Sequence, residues 1–280
     1  MIVFEGVTKR YGGVLALSDL TLSVGPGEIV ALLGPNGSGK STTLKAAVGL
    51  IRPTAGRVLI DGADAARAAS RRRVAYLPQR AAFAESLTGF EVVEFYRKLR
   101  GAPAERTPEV LRVAALNGAG GRAVGTYSGG MLQRLALAVA AVSDAPMLLL
   151  DEPTASLDPE GLAAFYALAE RRRGAGGTVL FSSHQLGDAE RLADRFAILV
   201  GGRLVAVLGR DELARRLASR GTLRLRVDGE ELSVRATAEE RPAVLERLRR
   251  DGRVVQSIAA EEGRLDDLYA DLIGTEGEKP

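Results

Sequence analysis

The stretch that decides the fold lies between residues 34 and 42 and reads Gly34, Pro35, Asn36, Gly37, Ser38, Gly39, Lys40, Ser41 and Thr42. An apolar run at residues 29–33 precedes it, and a helical pattern that extends to Leu50 follows it. A glycine-rich turn in this position joins a buried strand to a helix. The sequence therefore predicts a strand, a loop and a helix in direct succession.

The residue types of this loop fit the binding of phosphate groups. Gly34, Gly39, Lys40 and Ser41 satisfy the pattern G-x-x-x-x-G-K-[ST], in which the glycines let backbone N–H groups point inward at phosphate oxygens. Lys40 is expected to reach the β- and γ-phosphates, and the Ser41 hydroxyl is expected to ligate the magnesium ion that bridges them. The alternative is a glycine-rich connection without a ligand, and the flanking strand and helix argue against it.

Composition is typical of a soluble globular chain with one large domain, or one large and one small. Of the 280 residues 46% are apolar and 26% are charged, with no cysteine and a single histidine. Disulfides and thiolate metal sites are therefore excluded, and a metal site built on histidines is not expected. No apolar run approaches the ~20 residues that span a bilayer, so we expect a cytoplasmic protein that docks to a membrane component.

The charge balance gives little support to a nucleic-acid function. The 38 basic and 35 acidic residues leave a net charge of +3. Three arginine clusters, at residues 71–73, 171–173 and 247–250, lie far apart and are not interleaved with aromatic residues. Such clusters are most simply solvated helix faces, and no nucleic acid is expected as a partner.

The first part of the chain predicts an antiparallel β lead-in over residues 2–24, with turns at its glycines. Tyr11, which precedes two glycines, could present its ring to a nucleotide base or could equally be an edge-strand residue. A later strand at residues 74–77 ends at Pro78 and Gln79. Gln79 could reach a magnesium ion or the attacking water, although a glutamine in a loop is usually just solvated.

A mostly helical insert is predicted between two α/β halves, at about residues 85–143. Near its end Ser128 is suited to be a helix N-cap, and Gly129 and Gly130 leave the first N–H groups of that helix bare. A bare helix N-terminus can hold a second anion. Taken alone, however, Ser-Gly-Gly is a common helix start.

Two further strands end in polar residues. A buried run at residues 147–150 is followed by Asp151 and Glu152, and the strand at 178–181 leads to His184. We expect Asp151 to complete the magnesium shell, Glu152 to polarise the attacking water and His184 to contact the γ-phosphate. The alternative is a strand capped by solvated acids and a structural histidine.

Residues 211–280 show a different pattern, that of a small α+β appendage without a chemical motif. A helix, a hairpin turned at Asp228 and Gly229, a second helix and a strand are predicted in this order. Leu265, Leu268 and Leu272 indicate a last short helix before a polar tail at residues 274–280.

Together these motifs resemble the nucleotide-binding subunit of an ABC transporter over residues 2 to about 210. The elements occur in the order of that family: Tyr11, the phosphate loop at 34–42, Gln79, the signature Ser128 to Met131, Asp151 with Glu152, the dimer loop Ser156 to Asp158, and His184. The resemblance implies an α/β fold of the P-loop NTPase class, ABC ATPase type, with an antiparallel β lead-in and a helical insert. A domain at 1–210 and an accessory domain at 211–280 are expected.

The same resemblance implies the activity and the partners. ATP and Mg²⁺ are the expected cofactors, and ATP is expected to be clamped between the phosphate loop of one subunit and Ser128 to Gly130 of a second copy, head to tail. Hydrolysis would drive integral membrane permease subunits from the cytoplasmic face, with residues 79–88 as the expected contact. The chain carries Tyr127 and Met131 where the commonest signature has Leu and Gln.

Tyr127 and Met131 are similar to the form of ABC-2-type exporters, and residues 265–269 resemble the end of their C-terminal extension. Within that group the sequence also resembles the subunit for copper-site maturation of nitrous oxide reductase. A soluble ABC-type ATPase acting on ribosomes or DNA is the alternative. Such proteins usually carry two cassettes, long coiled coils or zinc insertions, none of which occurs in this sequence.

Overall fold

The computed structural model describes residues 1–184, 186–219 and 221–261, together with residues 263, 268 and 272. The chain divides into two compact units, Met1–Val207 and Leu208–Pro280. The predicted boundary at residue 210 lies near this division. Each unit is described by itself.

The strands in chain order are β1 (Ile2–Tyr11), β2 (Val14–Val24), β3 (Ile29–Leu33), β4 (Ala55–Ile60), β5 (Ala63–Asp64), β6 (Val74–Leu77), β7 (Met147–Leu150), β8 (Thr178–Ser183), β9 (Arg195–Val200), β10 (Arg203–Gly209), β11 (Thr222–Val227), β12 (Glu230–Arg235) and β13 (Val255–Glu261). The helices are α1 (Lys40–Ala47), α2 (Ala68–Arg72), α3 (Gly89–Arg100), α4 (Arg106–Val113), α5 (Gly129–Ala141), α6 (Pro159–Gly174), α7 (Leu186–Leu192), α8 (Arg210–Ala218) and α9 (Arg241–Arg250). A 3₁₀ turn covers Val124–Thr126.

A six-stranded sheet in the order β10-β9-β3-β8-β7-β6 is the frame of the first unit. β3 pairs in parallel with β8 and β9, and β7 pairs in parallel with β6 and β8. Every residue of β3, β7 and β8 is buried, which explains why β3, β7 and the middle of β8 read as continuous apolar runs rather than alternating ones. Parallel pairing places the carboxyl ends of these strands at one edge of the sheet.

The predicted antiparallel lead-in forms a separate four-stranded sheet in the order β2-β1-β4-β5. β1 and β2 pair from Ile2 opposite Val24 to Tyr11 opposite Val14. Gly12, with a φ of 56°, makes the tight turn between them. Alternating residues of this sheet join the main core, among them Phe4, Leu22 and Ile60.

α1 ends three residues before the predicted end at Leu50. Gly49 has a φ of 67°, and its N–H donates to the Ala46 carbonyl while the Leu50 N–H donates to the Lys45 carbonyl. This hydrogen-bond pair is a Schellman motif, which stops a helix. A Cβ at position 49 would lie 2.5 Å from the Ala65 carbonyl oxygen, so the stop depends on glycine.

The helical insert contains α3, α4, the 3₁₀ turn and α5. A capping box of Thr88 and Glu91 begins α3, and Gly101 in the left-handed region ends it. Its three α-helices pack around a core of their own, which includes Val93, Leu111 and Leu135. The insert therefore has a hydrophobic core separate from that of the sheets.

The second unit has a three-stranded antiparallel sheet in the order β12-β11-β13. Leu223, Leu225 and Val227 of β11 are buried against apolar side chains of α9. The predicted tail at 274–280 and, except for Leu268 and Leu272, the predicted last helix lie outside the described residues. Among the described residues no helix is both long and apolar enough to cross a membrane.

Candidate nucleotide site

The strand ends of the six-stranded sheet bring four sequence-predicted segments to one edge. The phosphate loop follows β3, whose last residue Leu33 pairs with Ser183. Leu150, which precedes Asp151, pairs with Phe181 on β8 and with Leu77 on β6. Because these pairs are parallel and in register, residues immediately beyond each strand are neighbours.

The backbone of the phosphate loop is fixed by contacts within the chain. Gly37 and Gly39 have φ values of 81° and 102°, a region that L-residues with a side chain rarely adopt. A Cβ at Gly39 would lie 2.7 Å from the Ala16 carbonyl oxygen. The Ser38 N–H donates to the Pro35 carbonyl at 3.2 Å, and the Ser38 carbonyl accepts from the Gly202 N–H at 3.1 Å. The loop is thus held in a curled conformation.

α1 begins immediately behind this loop without a side-chain cap. Gly39 is its N-cap, and no side chain accepts a hydrogen bond from the first turn. The first turn also lacks acidic residues. Its N–H groups and the positive end of the helix dipole therefore face the loop, which is the arrangement that binds phosphate.

The Lys40 ammonium lies inside the loop, with only 6% of the residue exposed. It donates to the carbonyl oxygens of Gly34 at 2.7 Å and Pro35 at 3.2 Å. Its Nζ also lies 3.4 Å from Oε1 of Glu152. One buried cation thus links the phosphate loop to the acid that follows β7.

Asp151 is the centre of a second set of contacts. Its Oδ1 accepts from the Ser41 hydroxyl at 3.0 Å and from the Ser182 hydroxyl at 2.8 Å. The Ser182 oxygen in turn accepts from the Glu152 N–H at 2.8 Å. Only 1% of Asp151 is exposed, so its orientation is set by these hydroxyls.

Glu152 is held in an uncommon backbone conformation beside the histidine. Its φ is 49°, in the left-handed region that costs energy for a residue with a side chain. Its Oε2 lies 2.7 Å from Nδ1 of His184, and its Oε1 faces Lys40. A nearly buried carboxylate thus lies between a histidine ring and an ammonium group.

The oxygen atoms of Ser41 and Asp151 fit a magnesium ion. Mg²⁺ prefers oxygen ligands and is usually held by one or two protein groups together with substrate phosphates and water. The two side-chain oxygens are already 3.0 Å apart. No group of three or more His, Cys, Asp or Glu that could hold a metal occurs in the described part of the chain. The ion would therefore take its remaining ligands from phosphate, from water or from an uncharged side chain such as that of Gln79.

Two predicted residues lie apart from these contacts. Tyr11 ends β1 with 47% of its surface exposed, and the Lys9 ammonium lies 5.0 Å from the centre of its ring. Gln79 is exposed and comes two residues after the end of β6. Both side chains are accessible to a ligand, but neither is part of the Lys40–Asp151–His184 contacts described above.

The signature residues make contacts of a different kind. Ser128 caps α5, and its Oγ accepts from the Met131 N–H at 3.2 Å. Gly129 is exposed and has open space around its Cα. A Cβ at Gly130 would lie 3.3 Å from the Ser156 carbonyl oxygen, so this turn packs on the predicted dimer loop. Asp158 of that loop caps α6.

The comparisons with known proteins agree with this geometry. A family model described as ABC transporter matches residues 17–155. The chain is 39% identical over 218 residues to the daunorubicin resistance ATP-binding protein DrrA3 of Streptomyces coeruleorubidus, which covers 76% of this chain and 69% of that protein. The chain belongs to the ABC transporter family.

Further relatives give the same result. The Nod factor export ATP-binding protein I of Burkholderia orbicola is 37% identical over 211 residues, covering 73% of this ABC protein and 69% of the relative. A solved ATP-binding subunit of an ABC transporter has a TM-score of 0.72 and 32% identity, covering 77% and 92%. A dimeric ATP-binding cassette in a post-hydrolysis state, bound to ADP and Pi, has a TM-score of 0.69 and 29% identity, covering 75% and 99%.

These comparisons confirm the predicted family, the fold class and the enzyme class. The ABC protein is an ATP-binding subunit with the P-loop ATPase fold, and its reaction is the ATP hydrolysis that powers a transporter. The narrower resemblance to the nitrous oxide reductase subunit is tested by none of them and stays a prediction. Of residues 265–269, on which it partly rests, only Leu268 is described.

Sequence reasoning missed two side chains near the edge of the sheet where Lys40, Asp151 and Glu152 meet, which we call the nucleotide edge. Ser182 was assigned no role, although it joins Asp151 to the Glu152 backbone. Its position follows from the pairing of Leu150 with Phe181, which makes the next residue on each strand a neighbour and which the sequence does not reveal. Tyr76 on β6 is the other, and nothing in its local sequence marks it.

Proposed function

We propose that this ABC protein hydrolyses ATP for a separately encoded permease of an ABC-2-type exporter. The relatives named for daunorubicin resistance and Nod factor export support export as the direction. The protein would then work at the cytoplasmic face of the membrane, with residues 79–88 beside the permease. The cargo depends on the permease.

The contact of Glu152 with both His184 and Lys40 is the observation that carries this proposal. Glu152 would be the general base that polarises the attacking water, because its Oε1 faces the lysine of the phosphate loop at 3.4 Å. His184, at 2.7 Å from Oε2, would hold that carboxylate and contact the γ-phosphate. On ATP binding Lys40 would exchange its carbonyl partners for phosphate oxygens.

Magnesium would be held by Ser41 and Asp151, with Gln79 joining when the exposed loop after β6 moves inward. When bound, the ion would neutralise part of the negative charge of the phosphate groups. Ser182 would keep Asp151 oriented towards it. Tyr11, exposed at the end of β1, would stack on the adenine base.

A second copy of the chain would complete the site, head to tail. Ser128, Gly129 and Gly130 lie at the N-terminus of α5, where a helix end favours anions. The open space at Gly129 allows the backbone to approach a phosphate closely. The related cassette bound to ADP and Pi is dimeric, which supports the formation of a dimer.

The decisive experiment is Glu152→Gln, which keeps the shape of the side chain and removes its charge. We expect kcat to fall by about 100-fold or more, while ATP still binds and a dimer accumulates with ATP. Phosphate release and size-exclusion chromatography with ATP measure the two effects. Glu170→Gln is the matched control, since Glu170 is a surface residue whose carboxylate pairs with Arg173. Unimpaired turnover in Glu152→Gln would refute the role of this carboxylate.

A further inference from the structure

The hydroxyl of Tyr76 is buried beside the nucleotide edge without a hydrogen-bond partner among the described residues. A buried polar group that lacks a partner costs free energy, and most such groups in proteins are satisfied. Phenylalanine would fill the same space without this cost. An unpartnered hydroxyl at a ligand site therefore indicates an acceptor that arrives with the ligand.

The register of the sheet places Tyr76 on the same face as Asp151. Tyr76 on β6 pairs with Leu149 on β7, and Asp151 follows Leu149 by two residues. Side chains alternate along a strand, so Leu149, Asp151 and the neighbouring Tyr76 all point to one side. Ser41 of α1 contacts Asp151 on that side, and the Tyr76 ring packs against the hydrophobic core cluster that includes Leu149.

The electrostatic environment agrees with this placement. Burial and the nearby Asp151 carboxylate raise the pKa of Tyr76 well above its ordinary value. The phenol therefore remains protonated at neutral pH and can act as a donor. The neighbouring hydroxyls are already engaged, because Ser41 and Ser182 both donate to Oδ1 of Asp151.

From the unpartnered hydroxyl and its position, we infer that Tyr76 is a positioning residue that donates a hydrogen bond to an oxygen atom of bound MgATP beside Asp151. The oxygen belongs either to a phosphate group or to a water of the magnesium ion. This inference rests on the proposed function, since it requires Asp151 and Ser41 to hold that complex. Tyr76 would thus contribute to the affinity for MgATP and not to the stability of the nucleotide-free protein.

The test compares Tyr76→Phe with Tyr166→Phe. The Tyr166 hydroxyl donates to Oδ1 of Asp188 at 2.7 Å, away from the phosphate loop. We expect Tyr76→Phe to leave the melting temperature of the nucleotide-free protein unchanged or slightly raised, and to weaken MgATP binding about three- to tenfold. Tyr166→Phe should do the reverse, lowering the melting temperature while leaving MgATP affinity unchanged.

Thermal unfolding and fluorescent-nucleotide titration, each with ATP plus Mg²⁺ and with ATP plus EDTA, give the readouts. A weaker affinity only with Mg²⁺ assigns the acceptor to metal-bound water, and a weaker affinity in both assigns it to phosphate. A lower melting temperature for nucleotide-free Tyr76→Phe, or wild-type MgATP affinity in that variant, would overturn the inference about Tyr76 and leave the proposed function unaffected. Failure of the wild-type protein to bind MgATP would overturn the proposed function together with it.

Discussion

The phosphate-loop edge and the signature turn differ in how their polar groups are used. At the first, Lys40, Asp151 and Glu152 are buried and contact one another or the loop itself. At the second, Ser128 is exposed and caps its own helix, and Gly129 is surrounded by open space. A buried, mutually oriented set of side chains is suited to chemistry, whereas an exposed helix end is suited to meeting a phosphate held elsewhere. The contrast supports two complementary half-sites.

Mixing two inactive variants gives the largest expected effect. Lys40→Ala and Ser128→Arg should each lower kcat by about 100-fold or more, because each disrupts one half-site. In a head-to-tail heterodimer of the two, one complete site remains. A 1:1 mixture should therefore regain about a quarter of the wild-type rate if sites act independently and chains pair at random. Phosphate release by the mixture measures this recovery.

The matched control is a mixture of Lys40→Ala with Glu152→Gln, which both damage the phosphate-loop half. No heterodimer of these two variants has an intact site, so the mixture should stay inactive. Equal behaviour of the two mixtures would contradict the division into half-sites.

Ser182→Ala tests whether the Ser182 hydroxyl orients the carboxylates of Asp151 and Glu152. The Glu152 N–H would lose its acceptor and Asp151 would lose a donor, so we expect a loss of about 1–3 kcal/mol in the free energy of unfolding. A fall in kcat of roughly tenfold or more should accompany it, because both carboxylates become less well oriented. Urea unfolding and steady-state kinetics measure the two quantities. Ser23 is exposed, and Ser23→Ala should change neither the free energy of unfolding nor kcat.

Two substitutions at Ser128 separate its capping from its proposed contact with ATP. Ser128→Ala should reduce the free energy of unfolding by about 0.5–2 kcal/mol through loss of the cap. Ser128→Asp keeps a capping acceptor but brings negative charge towards a phosphate, so stability should be retained while ATP-driven dimerisation is lost. Chemical denaturation and size-exclusion chromatography with ATP distinguish the two. Normal ATP-driven dimerisation of Ser128→Asp would contradict a contact between Ser128 and the γ-phosphate.

The smallest effect concerns the insert that carries the signature helix. Hydrogen bonds from Arg97 and Thr107 lower the pKa of Glu94 to about 2. A depressed carboxyl pKa contributes stability that is complete above the ordinary value of 4.5 and is lost as pH falls towards 2. Glu94→Gln should therefore lower the urea midpoint slightly at pH 7, with the difference from wild type vanishing near pH 2. A difference that persists in acid would contradict this origin.

Much of the architecture could be predicted because its signals are local. Buried strands read as apolar runs, and the residues that follow β3, β7 and β8 carry the recognisable polar groups. The polar residues after strands 29–33, 147–150 and 178–183 lie together, as parallel pairing requires. The roles assigned to the individual residues, Gln79 and Tyr11 among them, remain proposals.

Other features depend on neighbours distant in the chain, and the sequence could not reveal them. The role of Ser182 follows from strand register, and the buried position of the Tyr76 hydroxyl follows from the packing of its ring against the core cluster of the sheets. The left-handed backbone of Glu152 has no local signal, because glutamate rarely adopts it. The early end of α1 is not evident from the apolar pattern, because that pattern continues past Gly49, whose backbone has no room for a side chain beside Ala65.

The contacts of Lys40 with the Gly34 and Pro35 carbonyls have a consequence for the thermodynamics of nucleotide binding. Together with the Ser38–Gly202 hydrogen bond, they order the loop in the free protein. The conformational entropy of these residues is therefore lost during folding and not during association. ATP would therefore bind to a phosphate loop that is already ordered, and the Lys40 ammonium would exchange its carbonyl partners for phosphate oxygens. Calorimetry should accordingly show a small heat-capacity change for the isolated subunit, without the large change that accompanies folding on binding.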